Sequence, residues 1–327
     1  MKCINKRITA LCLTLIAVIS LTGCGNLKYD MAYNPDSEVS GFNVMSGKNS
    51  GTAEAFAANL CVVTENIMDD ESVDMSQASA AVLFDINNRE VIYSKNAHDR
   101  LYPASLTKVM TALVALQNGS LDQVLTATDA VTITESGAQL CGLKSGDSMT
   151  LDQALHILLM YSANDAAMLI AENIGGTTEH FMQMMNEEAV RLGATNTNFV
   201  NPHGLSDDNH YTTAYDLYLI FNEAIKYEAF NEIIHMVSYQ TTYYDKDGNT
   251  RELTVNNTNR FLRGDFQAPE NITVIGGKTG TTKAAGSCLI LLSRDVSGAP
   301  YISVILHSES GDILYPEMVD LLDEINK

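Results

Sequence analysis

The chain has no tryptophan, so any apolar interior has to be built from its 14 tyrosines, 9 phenylalanines and 14 methionines together with aliphatic residues. It is short of positive charge: 20 Lys and Arg stand against 40 Asp and Glu, a formal net charge of −20. Phosphate backbones and anionic leaflets repel an acidic surface, which excludes nucleic acid and a bare anionic membrane as partners and leaves the charge as a solubilising shell. The six cysteines (Cys3, Cys12, Cys24, Cys61, Cys141, Cys288) show no C-x-x-C or similar spacing. That argues against a thiolate metal site and a disulfide framework, and Cys141 and Cys288 read as small packing residues. The seven histidines contain no H-E-x-x-H, so His203 and His210 read as structural or surface residues. No metal or cofactor is expected. There is no internal repeat, and the one apolar run, residues 8–21, is 14 residues long, too short to span a bilayer comfortably.

What is present begins with an address. Lys2, Lys6 and Arg7 precede that apolar run, which ends in Leu21-Thr22-Gly23-Cys24. A positive start, a short apolar core and small residues after it read as a signal peptide, and the last four residues resemble the lipobox of bacterial lipoproteins. The expectation is cleavage before Cys24 and a diacylglycerol on its sulfur; an ordinary secretory signal cut nearby is the alternative. Removing residues 1–23 deletes three cations and no acid, taking the charge to −23. A lipid anchor, at roughly 0.8 kcal/mol per buried methylene, overcomes that repulsion. Residues 24–75 are rich in Gly, Ser, Asn and Asp and read as a flexible tether with a reach of roughly 40 Å.

From residue 76 the texture becomes that of a folded domain running to 327. Apolar residues 80–84 and 91–93 flank a turn with Asn87-Asn88 and predict a β-hairpin. Helical patterns follow at 105–116, 151–160, 165–174, 178–192 and 213–227. Strand-like runs return at 238–244, 272–275, 287–293 and 301–307. Strands, then helices, then strands predict an α+β fold: an antiparallel sheet built from both chain ends, flanked by a helical subdomain. A last helix, 314–327, places Leu314, Met318, Leu321, Leu322 and Ile325 on one face and Glu317, Asp320, Asp323 and Glu324 on the other, a face suited to solvent.

Three short motifs carry chemistry. In Ser105-Leu106-Thr107-Lys108, Pro103 breaks regular structure just upstream, so Ser105 falls at a helix start with Lys108 one turn above it. A hydroxyl is a poor nucleophile without a base in reach, and a lysine serves when desolvation or a neighbouring cation lowers its pKa. Ser162-Ala163-Asn164 lies 57 residues on, and Lys278-Thr279-Gly280 a further 116. Alone, each is weak: S-x-x-K recurs by chance, and S-x-N also reads as a helix-capping turn. The third is not a phosphate loop, because Ile272 stands where a Walker pattern needs glycine. Its glycines allow close backbone approach, and an extended edge there can pair with a peptide.

Taken in order, S-x-x-K, S-x-N and K-T-G resemble the low-molecular-mass penicillin-binding proteins, the serine D-Ala-D-Ala carboxypeptidases. The resemblance covers roughly residues 76–310 and includes Tyr102–Ala112, Ser162–Ala167, Phe199–Leu205 and His210–Ala214. It implies a DD-peptidase/β-lactamase-like fold and a role for Ser105 as nucleophile on the carbonyl between two terminal D-alanines. Lys108 is then its base, and Ser162 a proton relay tuned by Lys278. It further implies that Asn164, Lys278, Thr279, Gly280, Thr281 and Thr282 bind substrate, and that the backbone N–H groups of Ser105 and Thr281 form an oxyanion hole. The implied partners are peptidoglycan stem peptides and β-lactam antibiotics, outside the cytoplasmic membrane. Only 47 residues follow Gly280, so the small β-rich domain and C-terminal anchor of many relatives are expected to be missing, with the Cys24 lipid as replacement. Thr281 is smaller than the residue often found there.

Other readings share the motifs. A class A β-lactamase needs a deacylating Glu in E-x-x-L-N, and Glu187, Glu188, Glu223 and Glu228 lack that context. An endopeptidase or transpeptidase differs only in products. A catalytically dead penicillin-recognition module is disfavoured by intact Ser105, Lys108, Ser162 and Lys278.

Overall fold

The computed structural model describes residues 57–68 and 73–327. The signal sequence and Cys24 lie outside the described residues. Ala80 to Phe84 are apolar on both faces and all buried, the pattern of a strand covered from two sides. They form the centre of β1 (Ala78–Asp85), which pairs antiparallel with β2 (Glu90–Lys95) as expected. The Asp85 carboxylate closes the turn by accepting from the Asn88 backbone and side-chain amides, both at 2.8 Å.

A short helical turn, Ala104–Leu106, leads into α1 (Thr107–Asn118). Then come β3 (Val124–Thr126), β4 (Ser148–Thr150) and α2 (Leu151–His156), the last capped by a reciprocal Thr150–Gln153 box. The chain continues as a wider π-type turn, Ile157–Tyr161, into α3 (Asn164–Gly175), α4 (Thr178–Leu192), α5 (Ala214–Ala224) and α6 (Glu228–His235). Five strands, β5 (Ser238–Tyr244), β6 (Thr250–Asn256), β7 (Thr273–Thr282), β8 (Gly286–Arg294) and β9 (Pro300–Ser308), and then α7 (Gly311–Asp323) close the described chain.

The main sheet has the order β2-β1-β9-β8-β7, antiparallel throughout, so its members come from both ends of the chain as the pattern predicts. One face, with Ala80, Val82 and Phe84, packs on the helical region; the other, with Ala81, Leu83, Leu291 and Ile305, packs on α7. Helix α1 is buried on every side from Thr107 to Ala115, as befits the central helix of such a layer. A smaller sheet, β3-β4-β5-β6, completes the helical side. None of the helices among the described residues is long and apolar enough to cross a membrane.

Two expectations differ from the structure. The folded body begins before residue 76: Cys61 is 1% exposed, its N–H donates to Tyr218 Oη at 2.9 Å, and the Tyr215 hydroxyl donates to its carbonyl at 2.9 Å. Cys61 and Val63 are small apolar residues that fill space beside α5, and Ile67 extends the sheet edge by pairing with Ser94. The remaining described part of the proposed tether therefore includes residues that pack. The acidic face of the last helix is also interrupted. Leu314, Met318, Leu321 and Leu322 are buried as expected, but so is Glu317, which accepts from Ser308 Oγ at 2.6 Å. Burial pushes its carboxyl pKa up.

Candidate active site

The chain enters α1 through Pro103 and Ala104. Ala104 is a buried non-glycine residue with φ 48°, a sparsely populated conformation that surrounding contacts must enforce. This turn sets Ser105 at the rim of a cavity and Lys108 one helical turn behind it. Lys108 Nζ lies 2.9 Å from Ser105 Oγ, 2.7 Å from Asn164 Oδ1 and 2.6 Å from the His203 carbonyl. The amine is fully buried. Burial, reinforced by the charge of Lys278 and opposed by Asp165, holds its pKa well below the usual lysine range. A neutral amine has two protons and one lone pair. Asn164 Oδ1 and the His203 carbonyl take the two protons, which leaves the lone pair for the Ser105 hydroxyl proton. The three partners thus match the deprotonated state that a base requires.

Ser162 ends the π-type turn with φ 69° and ψ 28°, again left-handed. This turns its side chain toward β7, where Lys278 Nζ donates to Ser162 Oγ at 2.8 Å and to the Thr279 carbonyl at 2.8 Å. Lys278 is 1% exposed, and burial lowers its pKa to about 7. Two buried amines, each against a serine hydroxyl, therefore meet at the junction of sheet and helices.

The sequence run 278–282 contains no large apolar residue, yet it forms the end of β7, paired with β8 from Gly280↔Cys288 to Thr282↔Gly286. Strand β7 is the last in the sheet, so its other edge is open toward the cavity. A Cβ on Gly280 would lie 2.9 Å from Ser105 N and 3.1 Å from Ala104 Cβ, so only glycine lets the strand come this close to the serine. Thr279 Oγ1 shares a 2.6 Å hydrogen bond with Thr258, and Thr282 Oγ1 one of 2.8 Å with Ser206. The cavity of about 330 Å³ is lined by Ser105, Ser162, Asn164 and residues 279–282, while Lys108 and Lys278 lie behind its wall. The structure thus brings together every motif residue singled out from sequence except Cys24, which lies outside the described residues.

Sequence reasoning missed three contributors. Asp165, 1% exposed, accepts backbone N–H bonds from Cys141 (3.1 Å), Gly142 (2.8 Å) and Leu143 (3.0 Å), pinning the loop whose residues 137–139 form one cavity wall. Its position directly after the S-x-N motif was the available signal. Arg260 lines the cavity, stacks on Phe266 and Tyr315 with its guanidinium carbon 4.5 and 5.1 Å from the ring centroids, and pairs with the exposed Asp312 at 2.8 Å. It sits in an irregular segment with no pattern to flag it. His203 meets Lys108 through its backbone carbonyl, which no side-chain pattern reports. His203 and His210 are both buried, and burial holds their pKa values down, to about 3 and about 4.

An antiparallel sheet closed by both chain ends, with a helical region on one face and Ser–Lys pairs at the junction, defines the DD-peptidase fold class. The crystal structure of the Streptomyces K15 DD-transpeptidase superposes with a TM-score of 0.68 at 29% identity, covering 76% of this chain and 96% of that one. The chain belongs to the D-alanyl-D-alanine carboxypeptidase family, whose signature it matches over residues 67–310. It is 36% identical over 221 residues to D-alanyl-D-alanine carboxypeptidase DacF of Bacillus subtilis, an alignment spanning 65% of this chain and 53% of DacF. It is 31% identical over 291 residues to DacC of Escherichia coli, spanning 86% of this chain and 68% of DacC. The chain thus spans about half to two thirds of the length of these relatives.

Proposed function

We propose that the protein is a serine D-Ala-D-Ala carboxypeptidase that trims the terminal D-alanine of peptidoglycan stem peptides and is acylated by penicillins. The observation that carries this reading is the Ser105–Lys108 contact: a hydroxyl 2.9 Å from a buried amine whose other two partners accept its protons. Ser105 Oγ attacks the carbonyl between the last two D-alanines and Lys108 takes its proton. The resulting oxyanion is held by the N–H groups of Ser105 and Thr281, donors of a kind worth about 3–4 kcal/mol each. Collapse expels D-alanine, whose nitrogen takes a proton from Ser162, resupplied by Lys278 at 2.8 Å. Water then attacks the acyl-enzyme.

The substrate lies along the open edge of β7, with Thr279, Gly280, Thr281 and Thr282 toward its C-terminal part and Asn164 toward the acyl side. Arg260, a cation of the cavity lining, stacks on Phe266 and Tyr315 and among the described residues pairs its charge with the solvent-exposed Asp312, so its guanidinium remains available to a terminal carboxylate. The likeness to a transpeptidase favours a second fate for the same acyl-enzyme, capture by an amine. The setting is extracytoplasmic, with Cys24 as the site of a lipid and the envelope face of a membrane as the partner surface. Incubation with a D-Ala-D-Ala peptide tests the reaction: free D-alanine in amounts exceeding the enzyme is expected, and release that survives Ser105→Ala would overturn the assignment.

A further inference from the structure

Ala104 is held in a left-handed conformation, and something must hold it there. Its carbonyl accepts from the Thr107 backbone N–H and from Thr107 Oγ1 at 2.8 Å. Thr107 Oγ1 also lies 2.8 Å from His210 Nε2, and His210 Nδ1 accepts from the Val200 N–H at 3.1 Å. Thr107, His210 and Ala104 are all 0–1% exposed.

These contacts leave one protonation pattern. Thr107 has a single hydroxyl proton, which goes to the Ala104 carbonyl, so Thr107 must accept at His210. Nε2 therefore carries the ring proton. Val200 N–H points at Nδ1, so Nδ1 is bare and the ring is neutral. Burial favours the same state, with Asp207 of the same loop opposing it and Lys108 of α1 supporting it; His203, also close by, is itself held neutral by burial.

The ring joins two parts of the site. Through Thr107 it reaches the turn that carries Ser105. Through Val200 it holds the loop whose His203 carbonyl takes a proton of Lys108 and whose Pro202 carbonyl accepts from Thr111 at 2.6 Å. That loop is already pressed on the turn: a Cβ at Gly204, which has φ 89°, would fall 1.8 Å from the Ala104 carbonyl oxygen. We propose that His210 is a positioning residue, a neutral clamp that acts through Thr107 to hold the Ala104–Ser105 turn and the Lys108 acceptor loop in register.

This rests on Ser105 being the nucleophile, so the test starts there. The rate of Ser105 acylation by a fluorescent penicillin is measured for the wild type, His210→Gln, His210→Asn, Thr107→Ser, Thr107→Val and the His210→Asn/Thr107→Val pair, with melting curves for each. Gln keeps a nitrogen donor where Nε2 lies; Asn reaches only as far as Nδ1. His210→Asn and Thr107→Val are expected to slow acylation by about 100-fold, the scale of a 1 Å misplacement. His210→Gln and Thr107→Ser should stay within about 3-fold of the wild type, and the double variant should be no slower than either single one, because coupled sites are not additive. Additive losses, or His210→Asn at the wild-type rate, would overturn the proposal. If His210→Asn does not fold, Thr107→Val against Thr107→Ser decides alone, and equal rates refute the clamp. A wild type that is not labelled on Ser105 fails the functional reading itself, a distinct result.

Discussion

Replacing Lys278 by methionine should stabilise the protein while abolishing its chemistry. Burial holds the Lys278 amine at about 7, against 10.5 for a free lysine. Each tenfold change in a protonation equilibrium is worth about 1.4 kcal/mol, so at neutral pH the native state loses about 4–5 kcal/mol by burying this group. Methionine has similar length and no charge to desolvate. Its drawback is the loss of the donor to Ser162 Oγ and the Thr279 carbonyl, but both residues line the cavity, where water can substitute. The net gain is then about 1–4 kcal/mol, the same scale as when buried ion pairs are replaced by apolar residues. The pH dependence gives the sharper signature. Between about 7 and 10.5 the unfolded wild type holds a proton at Lys278 that the folded protein lacks, so wild-type stability rises with pH by up to about 1.4 kcal/mol per unit. Below about 7 both states hold the proton and that slope disappears. The advantage of Lys278→Met is therefore largest at and below neutrality and shrinks as pH rises. Urea unfolding of both proteins from pH about 6 to about 9 measures it. A variant no more stable than the wild type at pH about 7, with a gap that does not narrow on going alkaline, would refute the argument that Lys278 is a desolvated amine.

Gly280→Ala should fold but lose acylation by about 100-fold, because its Cβ would lie 2.9 Å from Ser105 N; penicillin labelling against a melting curve checks this. Ser162→Gly relieves the φ 69° conformation but also strips the buried Lys278 amine of an acceptor, so stability should change by less than about 1 kcal/mol, while peptide hydrolysis falls with the lost hydroxyl; a melting temperature lowered by more than that would argue against strain at this residue. Asp165→Ala strips three loop amides of their acceptor and should cost about 3 kcal/mol. Hydrogen exchange should then speed up at Cys141, Gly142 and Leu143 and leave α1 protected.

What the sequence discloses tracks burial. The hairpin, the returning strands β8 and β9 and the long helices were legible because their apolar residues repeat with the period of the element. Strand β6, Thr250–Asn256, was not: its residues are mostly exposed and polar, and its pairing with β5 is a backbone property. The same holds for the last part of β7, where Gly and Thr residues form a strand because β8 lies beside them. Helix α6 is only eight residues long and follows α5 after a brief turn, so its pattern merges with its neighbour's. The Ser and Lys residues of the site were legible as motifs, yet the features that make them reactive were not. Burial of Lys108 and Lys278, the left-handed Ala104 and Ser162, and the His203 carbonyl all depend on segments distant in sequence. Glu317 sits on the expected acidic face and is buried all the same, because that face turns toward Ser308.

The central claim is that Ser105, primed by Lys108, is the acylated nucleophile of a D-alanine-releasing enzyme. Mass spectrometry of the protein after exposure to penicillin, paired with D-alanine release from a D-Ala-D-Ala peptide, tests it most directly. One long-lived adduct on the peptide containing Ser105 and catalytic D-alanine release are expected, with both lost in Ser105→Ala. Rapid turnover of penicillin without D-alanine release, or an adduct on any other residue, would contradict it.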